Sequence, residues 1–175
     1  MKPAPSSPPS PSDVVAYVGL GSNLGDREGH LGAALDALRA LDGVGGLERS
    51  SLYETEPVGP GAQRRYLNAV VRLRTRLAPR ALLDALLAIE RAQGRRRSGV
   101  RTEARTLDLD LLLYGDQQID EPGLVVPHPR LALRPFVLEP LRELTPALVV
   151  PGTGASVATL AARVRDPAAA RRYEP

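Results

Sequence analysis

The sequence predicts an α+β fold, a ferredoxin-like domain built on a mainly antiparallel sheet. Three observations lead there. Strand and helix patterns alternate in the order strand, helix, strand, strand, helix, strand, the split order of that sheet. Two segments, YLNAVVRLRT (66–75) and RTLDLDLLLYG (105–115), alternate with the period of a strand. Leucines recur at helical spacing between the strands. A chain of 175 residues is most simply one domain with a substantial core. It is expected to span residues 13–175, behind a Pro- and Ser-rich tail, 1–12, expected to be disordered. That tail has neither the apolar run of a secretory signal nor a membrane-spanning length.

The elements follow in order. Residues 14–20 (VVAYVGL) are apolar and β-branched, a buried strand ending in glycines. Leu31, Leu35, Leu38 and Leu41 define a helix over 30–41 that stops at Asp42-Gly43. A second strand is expected over 47–55, then a loop, EPVGPGAQRR, whose prolines and glycines forbid regular structure. In the 66–75 strand, Leu67, Ala69, Val71 and Leu73 face the core, while Tyr66, Asn68, Val70 and Arg72 face away. Residues 78–93 form the strongest helix, with Pro79 in its first turn, leucines 82, 83, 86 and 87, and Gly94 as a stop. A basic loop, GRRRSGVRTEAR, feeds into the 105–115 strand. There Leu107, Leu109, Leu111 and Leu113 share one face, and Asp108, Asp110, Leu112 and Tyr114 the other. Beyond Gly115 a turn, a short strand near 117–119, an irregular VPHPR segment and two helices, 134–144 and 157–165, complete the chain.

Composition narrows the function classes. Without cysteine, disulfide scaffolds, thiolate zinc sites and thiol nucleophiles are all excluded, and a cytoplasmic location agrees with that absence. The net charge is only +3, weak support for a nucleic-acid protein. The one lysine is Lys2, so every later cation in the Lys and Arg count is arginine. Planar guanidinium groups grip phosphate oxygens in pairs, though a genomic bias gives the same composition. No Walker sequence exists, because no lysine follows Lys2. The cluster GLGSNLGD suggests a dinucleotide fold, but Gly19, Gly21 and Gly25 are spaced one residue too long for that fingerprint. It reads equally as a plain turn from strand to helix.

The aspartate pair is sharper. Two carboxylates on one strand face, about 7 Å apart along the backbone, repel each other and need cations. Arginines would serve structurally. Oxygen-only ligands also suit magnesium, which takes one or two carboxylates plus phosphate oxygens and waters, so a two-metal phosphate site is the favoured reading. Glu90 lies near the buried stripe of its helix, where an ion pair with Arg97 or Arg105 competes with a ligand contact. His128 sits on a stiff backbone between two prolines, with Arg134 and Phe136 close behind, and is either structural or a phosphate contact. Tyr66 and Asn68 share a strand face and suggest a flat heteroaromatic ligand, stacked and read at its edge. The alternative for Tyr66 is packing beneath a later helix.

Taken together, GSNLGD, SSLYETEPVG, YLNAVV, the E-x-x-x-G-R of IERAQGR, RTLDLDLLLYG, and VPHPR followed by RPFVLEPL resemble the 6-hydroxymethyl-7,8-dihydropterin pyrophosphokinases of folate biosynthesis. The resemblance runs from about Val15 to Leu148. It implies an α/β/α sandwich that moves the diphosphoryl group of MgATP onto the pterin hydroxymethyl. Asp108 and Asp110 would hold two magnesium ions. Tyr66 and Phe136 would sandwich the pterin, with Asn68, Thr55, Pro57 and Val58 reading its edge. Arg95 and Arg105 would clamp the phosphates during transfer. Glu90, Arg97, Leu111, His128 and Arg134 would complete the ATP site. The family often carries tryptophan and then Gly-Pro just before RTLDLD; this chain has Thr102, Glu103 and Ala104 there. Leu133 stands where a polar residue is common.

Two rivals share parts of this pattern. Nucleotidyltransferases and nucleases also carry paired-aspartate metal sites on ferredoxin-like sheets, but here the basic residues form one loop rather than a stripe, and Tyr66, Asn68 and Phe136 would have no role. A regulatory ligand-binding module would not need the carboxylate pair. The expected partners are therefore ATP and the dihydropterin, with no nucleic acid, membrane or obligatory protein partner.

Overall fold

In chain order the elements of the computed structural model are β1 (Val14–Ser22), α1 (Arg27–Arg39), β2 (Val44–Arg49), β3 (Tyr53–Thr55), β4 (Tyr66–Thr75), α2 (Pro79–Ala92), β5 (Asp108–Tyr114), β6 (Ile119–Glu121), β7 (Leu124–Val126), α3 (Pro135–Leu144), α4 (Val157–Arg163) and β8 (Arg171–Arg172), with a 3₁₀ turn at Leu131–Leu133 before α3. The structure describes residues 13–57, 64–94, 106–164, 166 and 169–175. The expected tail therefore lies outside the described residues.

Strands β5, β1, β4, β3 and β8 lie side by side in that order, β2 also pairs with β4, and every pairing is antiparallel. This is the predicted split order, with the second strand broken in two. Both faces of the sheet are buried. Helices α1 and α2 cover Val18, Leu20, Leu67, Val71, Leu107 and Leu109. Helices α3 and α4 cover Tyr17, Val70, Leu112 and Leu113 on the other side. The face of β4 that looks away from the first core is thus a second core, and Val70 is as buried as Val71. No helix among the described residues is long and apolar enough to cross a membrane.

Several expectations change. Helix α1 begins at Arg27 rather than near His30, because the Asp26 carboxylate accepts the Gly29 N–H at 3.0 Å and caps an earlier turn. The strand expected over 47–55 is interrupted at Ser50. There the backbone N–H donates to the Val70 carbonyl, while the Ser50 hydroxyl oxygen accepts the Val70 N–H at 3.0 Å in place of a strand carbonyl. The period-2 reading of 105–115 holds through Leu112 and fails from Leu113. A bulge leaves Leu112 unmatched between the pairs Val18–Leu111 and Tyr17–Leu113. Leu113 therefore joins Leu112 beneath α3 and α4, and Tyr114 joins the first core. Finally, the short strand sits at Ile119–Glu121 and makes a hairpin with β7 around Gly123, whose φ of +75° favours glycine. Helix α4 ends at Arg163, and β8 has no counterpart in the sequence reading.

Ser50 is 1% exposed, so its hydroxyl serves a buried amide. Ser50→Ala is expected to destabilise the protein by about 1–3 kcal/mol, the cost of an orphaned buried donor. Denaturant unfolding together with faster hydrogen exchange at the Val70 amide checks this.

Candidate active site

One row across the sheet carries the polar groups. Gly21 of β1 lies opposite Asp108 of β5 on one side and Asn68 of β4 on the other, and Asn68 lies opposite Tyr53 of β3. The next row inward places Asp110, Gly19 and Val70 together. Because Gly21 has no side chain, the sheet floor between aspartate and asparagine is bare. A Cβ built there would stand 3.1 Å from Asn68 Oδ1, 3.9 Å from Tyr66 Cδ1 and 4.0 Å from Asp108 Cβ. All three side chains therefore converge over one backbone position. The cluster that reads as a plain turn from strand to helix is only partly one: Gly25, with φ +67°, belongs to the turn, whereas Gly19 and Gly21 lie within β1. Glycine inside a strand marks close approach, and that signal was present at Gly19 and Gly21.

The carboxylates face cations from the α3 layer. Arg134, just before α3, places Nη1 3.8 Å from Asp110 Oδ2, and its guanidinium carbon lies 5.5 Å from the centre of the Phe136 ring. His128 is held by its backbone, whose N–H donates to the carbonyl of the bulged Leu112 at 2.9 Å. Its Nδ1 accepts the Arg130 N–H at 3.1 Å, which leaves Nε2 as the protonated nitrogen of the neutral ring. Burial first, then Arg134 and Arg130, lower His128 from the ordinary 6.5 to about 4, against a small opposing pull from Asp108. The peptide before Pro127 is cis.

Glu90 is 2% exposed on the inner face of α2. Its Oε1 accepts the Leu109 N–H at 2.8 Å, so it anchors the strand segment between the two aspartates. At the far end of the row, Asn68 donates through Nδ2 to the Thr55 hydroxyl at 2.9 Å, both residues being 6% exposed. Pro57 follows Thr55 closely in sequence, beyond the end of β3. Leu111 turns its side chain into the core beneath α1 and α2, away from the aspartates, so only its main chain can serve a nucleotide. Leu133 is 71% exposed. Val58, Arg95, Arg97 and Arg105, with Thr102, Glu103 and Ala104, lie outside the described residues.

Two carboxylates are a fitting donor set for magnesium, which completes its shell with phosphate oxygens and water. Among the described residues no group of three or more His, Asp or Glu side chains forms a closed metal cage. An open pair beside bare backbone suits an ion that arrives with an anionic substrate.

The sheet floor thus carries a carboxylate and an amide on either side of bare backbone, and comparison with known proteins names the family. The model of the 7,8-dihydro-6-hydroxymethylpterin-pyrophosphokinase family matches residues 17–146. The chain is 50% identical over 135 residues to the 2-amino-4-hydroxy-6-hydroxymethyldihydropteridine pyrophosphokinase of Pseudomonas aeruginosa, covering 77% of this chain and 83% of that protein. It is 45% identical over 130 residues to the Bacillus subtilis protein of the same name, covering 74% and 77%. A solved HPPK-DHPS structure in complex with substrates superposes with a TM-score of 0.68 at 12% identity, over 87% of this chain and 43% of that longer one. This chain belongs to the 7,8-dihydro-6-hydroxymethylpterin-pyrophosphokinase family.

Two predictions follow from the geometry. Glu90→Ala strips the buried Leu109 amide of its acceptor and is expected to cost about 1–3 kcal/mol, whereas Glu90→Gln keeps an acceptor oxygen and costs less; urea melts of the pair make the comparison. The unfolded chain protonates His128 below about pH 6.5, whereas the folded ring resists down to about 4. The parent should therefore lose stability relative to His128→Asn as pH falls through that window, and the difference between them should stop changing above it. Paired thermal melts from pH 4 to 8 read it out.

Proposed function

We propose that this pyrophosphokinase transfers the terminal diphosphoryl group of ATP to the hydroxymethyl oxygen of 6-hydroxymethyl-7,8-dihydropterin. The oxygen attacks the β-phosphorus, the bond from that phosphorus to the α-phosphate oxygen breaks, AMP leaves, and the hydroxyl proton passes to solvent. Family membership supports the reaction. The observation that carries the site is the single row that puts Asp108, bare Gly21 and Asn68 side by side. A carboxylate for the phosphate end and an amide for the heterocycle end lie one strand apart on either side of an open floor.

Each residue then has a task. Asp108 and Asp110 hold magnesium, two ions in this reading, which supplies charge neutralisation to the triphosphate when bound. Arg134 and neutral His128 bind phosphate oxygens from the α3 side, the histidine by donating from Nε2. Arg95 and Arg105, with Arg97, clamp the phosphates from the basic loop. Glu90 fixes β5 and through it both carboxylates; Leu111 offers its main chain to the nucleotide. Asn68 reads the pterin edge with Thr55, Pro57 and Val58, and Tyr66 and Phe136 stack on its faces. Arg134 already lies over one face of Phe136, so the pterin takes the other. In-line positioning and charge neutralisation do most of the work in such a displacement, and no covalent intermediate is required. We place the reaction in the cytoplasm, in keeping with a cysteine-free chain.

Incubation with MgATP and 6-hydroxymethyl-7,8-dihydropterin should release AMP in step with pterin diphosphate; release of ADP instead would overturn the diphosphoryl assignment. Asp108→Asn and Asp110→Asn are each expected to lower kcat by about a hundredfold or more, several kcal/mol of lost charge stabilisation. Two carboxylates at this spacing repel by about 2–3 kcal/mol at an effective dielectric near 20, before screening. Arg134 offsets part of this repulsion at Asp110, so without metal Asp108→Asn should melt within a degree or two of the parent, and Asp110→Asn only slightly lower. MgATP should raise the melting temperature of the parent alone. Variants that melt well below the metal-free parent would make the aspartates ion-pair partners instead.

A further inference from the structure

Strand β3 is three residues long, yet it carries Thr55, the hydroxyl that holds Asn68. Its ladder with β4 ends at Thr55–Tyr66, so two of the residues assigned to the pterin sit at the sheet corner where the pairing stops. Two other parts of the chain secure that corner. On the α3 side, Glu143 accepts from the Ser51 N–H, the Ser51 hydroxyl and the Tyr53 hydroxyl, each at 2.9 Å.

The second fastening is the segment 169–175. Its strand β8 pairs with β3, matching Tyr53 with Arg172 and Glu54 with Arg171, and the next amide, Tyr173 N–H, donates to the Leu52 carbonyl at 2.8 Å. The Tyr173 ring packs against the first core, and its hydroxyl donates to Glu28 at 2.8 Å. Arg27 lies over that ring, 5.7 Å from its centre. From there the same guanidinium donates to Glu54 on β3 and to the Arg65 carbonyl just before β4, both at 2.8 Å. Glu54 and Arg65 are the immediate neighbours of Thr55 and Tyr66. One arginine, braced on one tyrosine, therefore spans the two chain segments that deliver the pterin contacts.

We propose that Arg27 and Tyr173 are positioning residues for the second substrate: the strap 169–175 holds Arg27 in place, and Arg27 sets the spacing between Thr55 and Tyr66 at the pterin end of the site. The inference rests on the assignment of Thr55, Asn68 and Tyr66 to the pterin. It separates the two ends of the row. The nucleotide end is anchored by Glu90, the Leu112 bulge and Arg134, none of which the strap touches. Loosening the strap widens the pterin end and leaves the nucleotide end in register. Tyr173 is needed for its ring and its chain pairing more than for its hydroxyl, because Arg27 stacks on the ring and the Glu28 contact is exposed.

The test is steady-state kinetics on the full chain carrying Arg27→Ala, Tyr173→Ala, Tyr173→Phe or Asn68→Ala. Arg27→Ala and Tyr173→Ala should raise KM for the dihydropterin by about fivefold to tenfold, the weight of one hydrogen-bond-scale interaction. KM for ATP and kcat should stay within about twofold of the parent, and Tyr173→Phe should restore most of the pterin KM. If Asn68→Ala raises the pterin KM while Arg27→Ala and Tyr173→Ala do not, the strap has no positioning role. Equal rises in both KM values, with a fallen melting temperature, would make it a general structural brace and also overturn the proposal. A pterin KM untouched by Asn68→Ala would overturn the site assignment itself, and the proposal with it.

Discussion

The site depends on one strand register. Because side chains alternate across a sheet, a slip of a single residue between β1 and β5 would turn both aspartates into the core beneath α1 and α2 and bring Leu109 to the surface. The hydrogen bond from the Leu109 N–H to Glu90 opposes that slip. It ties the outermost sheet strand to the buried face of α2 at the residue between the carboxylates. An edge strand ordinarily offers its unpaired amides to solvent or to another chain. Here one of them is consumed internally, and the buried carboxylate that consumes it is compensated in turn.

The bulge at Leu112 links this register to the opposite layer. It reverses the alternation, so that Leu112 and Leu113 both enter the core under α3 and α4. It also accompanies a Leu112 carbonyl that receives the His128 N–H. The stiff VPHPR segment is thereby moored to the same strand that bears the aspartates, and the backbone that follows brings Arg134 to within 3.8 Å of Asp110. Two like charges on one face thus meet a cation carried by a different element. Burial keeps the neighbouring imidazole neutral, so it adds a hydrogen-bond donor without adding charge.

The two ends of the polar row are held in different ways. Main-chain hydrogen bonds and a buried glutamate fix the aspartate end. The asparagine end has only short ladders and adds side chains to them: Glu143 gathers Ser51 and Tyr53, and Arg27 gathers Glu54 and the Arg65 carbonyl. Burial, followed by the hydrogen bond to Glu143, pushes the Tyr53 phenol up to about 12, so it stays a donor throughout the physiological range. Contacts of this sort cost side-chain entropy and are individually weak.

Periodicity by itself determined the strand–helix order, the first core and the facing of Asp108 and Asp110, because side-chain direction in a regular element follows from backbone geometry alone. The motifs carried the family, since their residue types and order are shared with its members. Other features were decided only in three dimensions. Strand β8 is two residues long and exists because β3 offers it an edge. The break at Ser50 exists because a hydroxyl can replace a carbonyl in a ladder, and the Leu112 bulge because a carbonyl there meets His128. Gly21 reads in the sequence as part of a turn and proves to be the bare floor between an aspartate and an asparagine on two other strands. Glu90 and Leu109 are nineteen residues apart, and nothing in either one's local pattern specifies the other. Local pattern sets which way a side chain points; which group it meets depends on chain segments that only folding brings together.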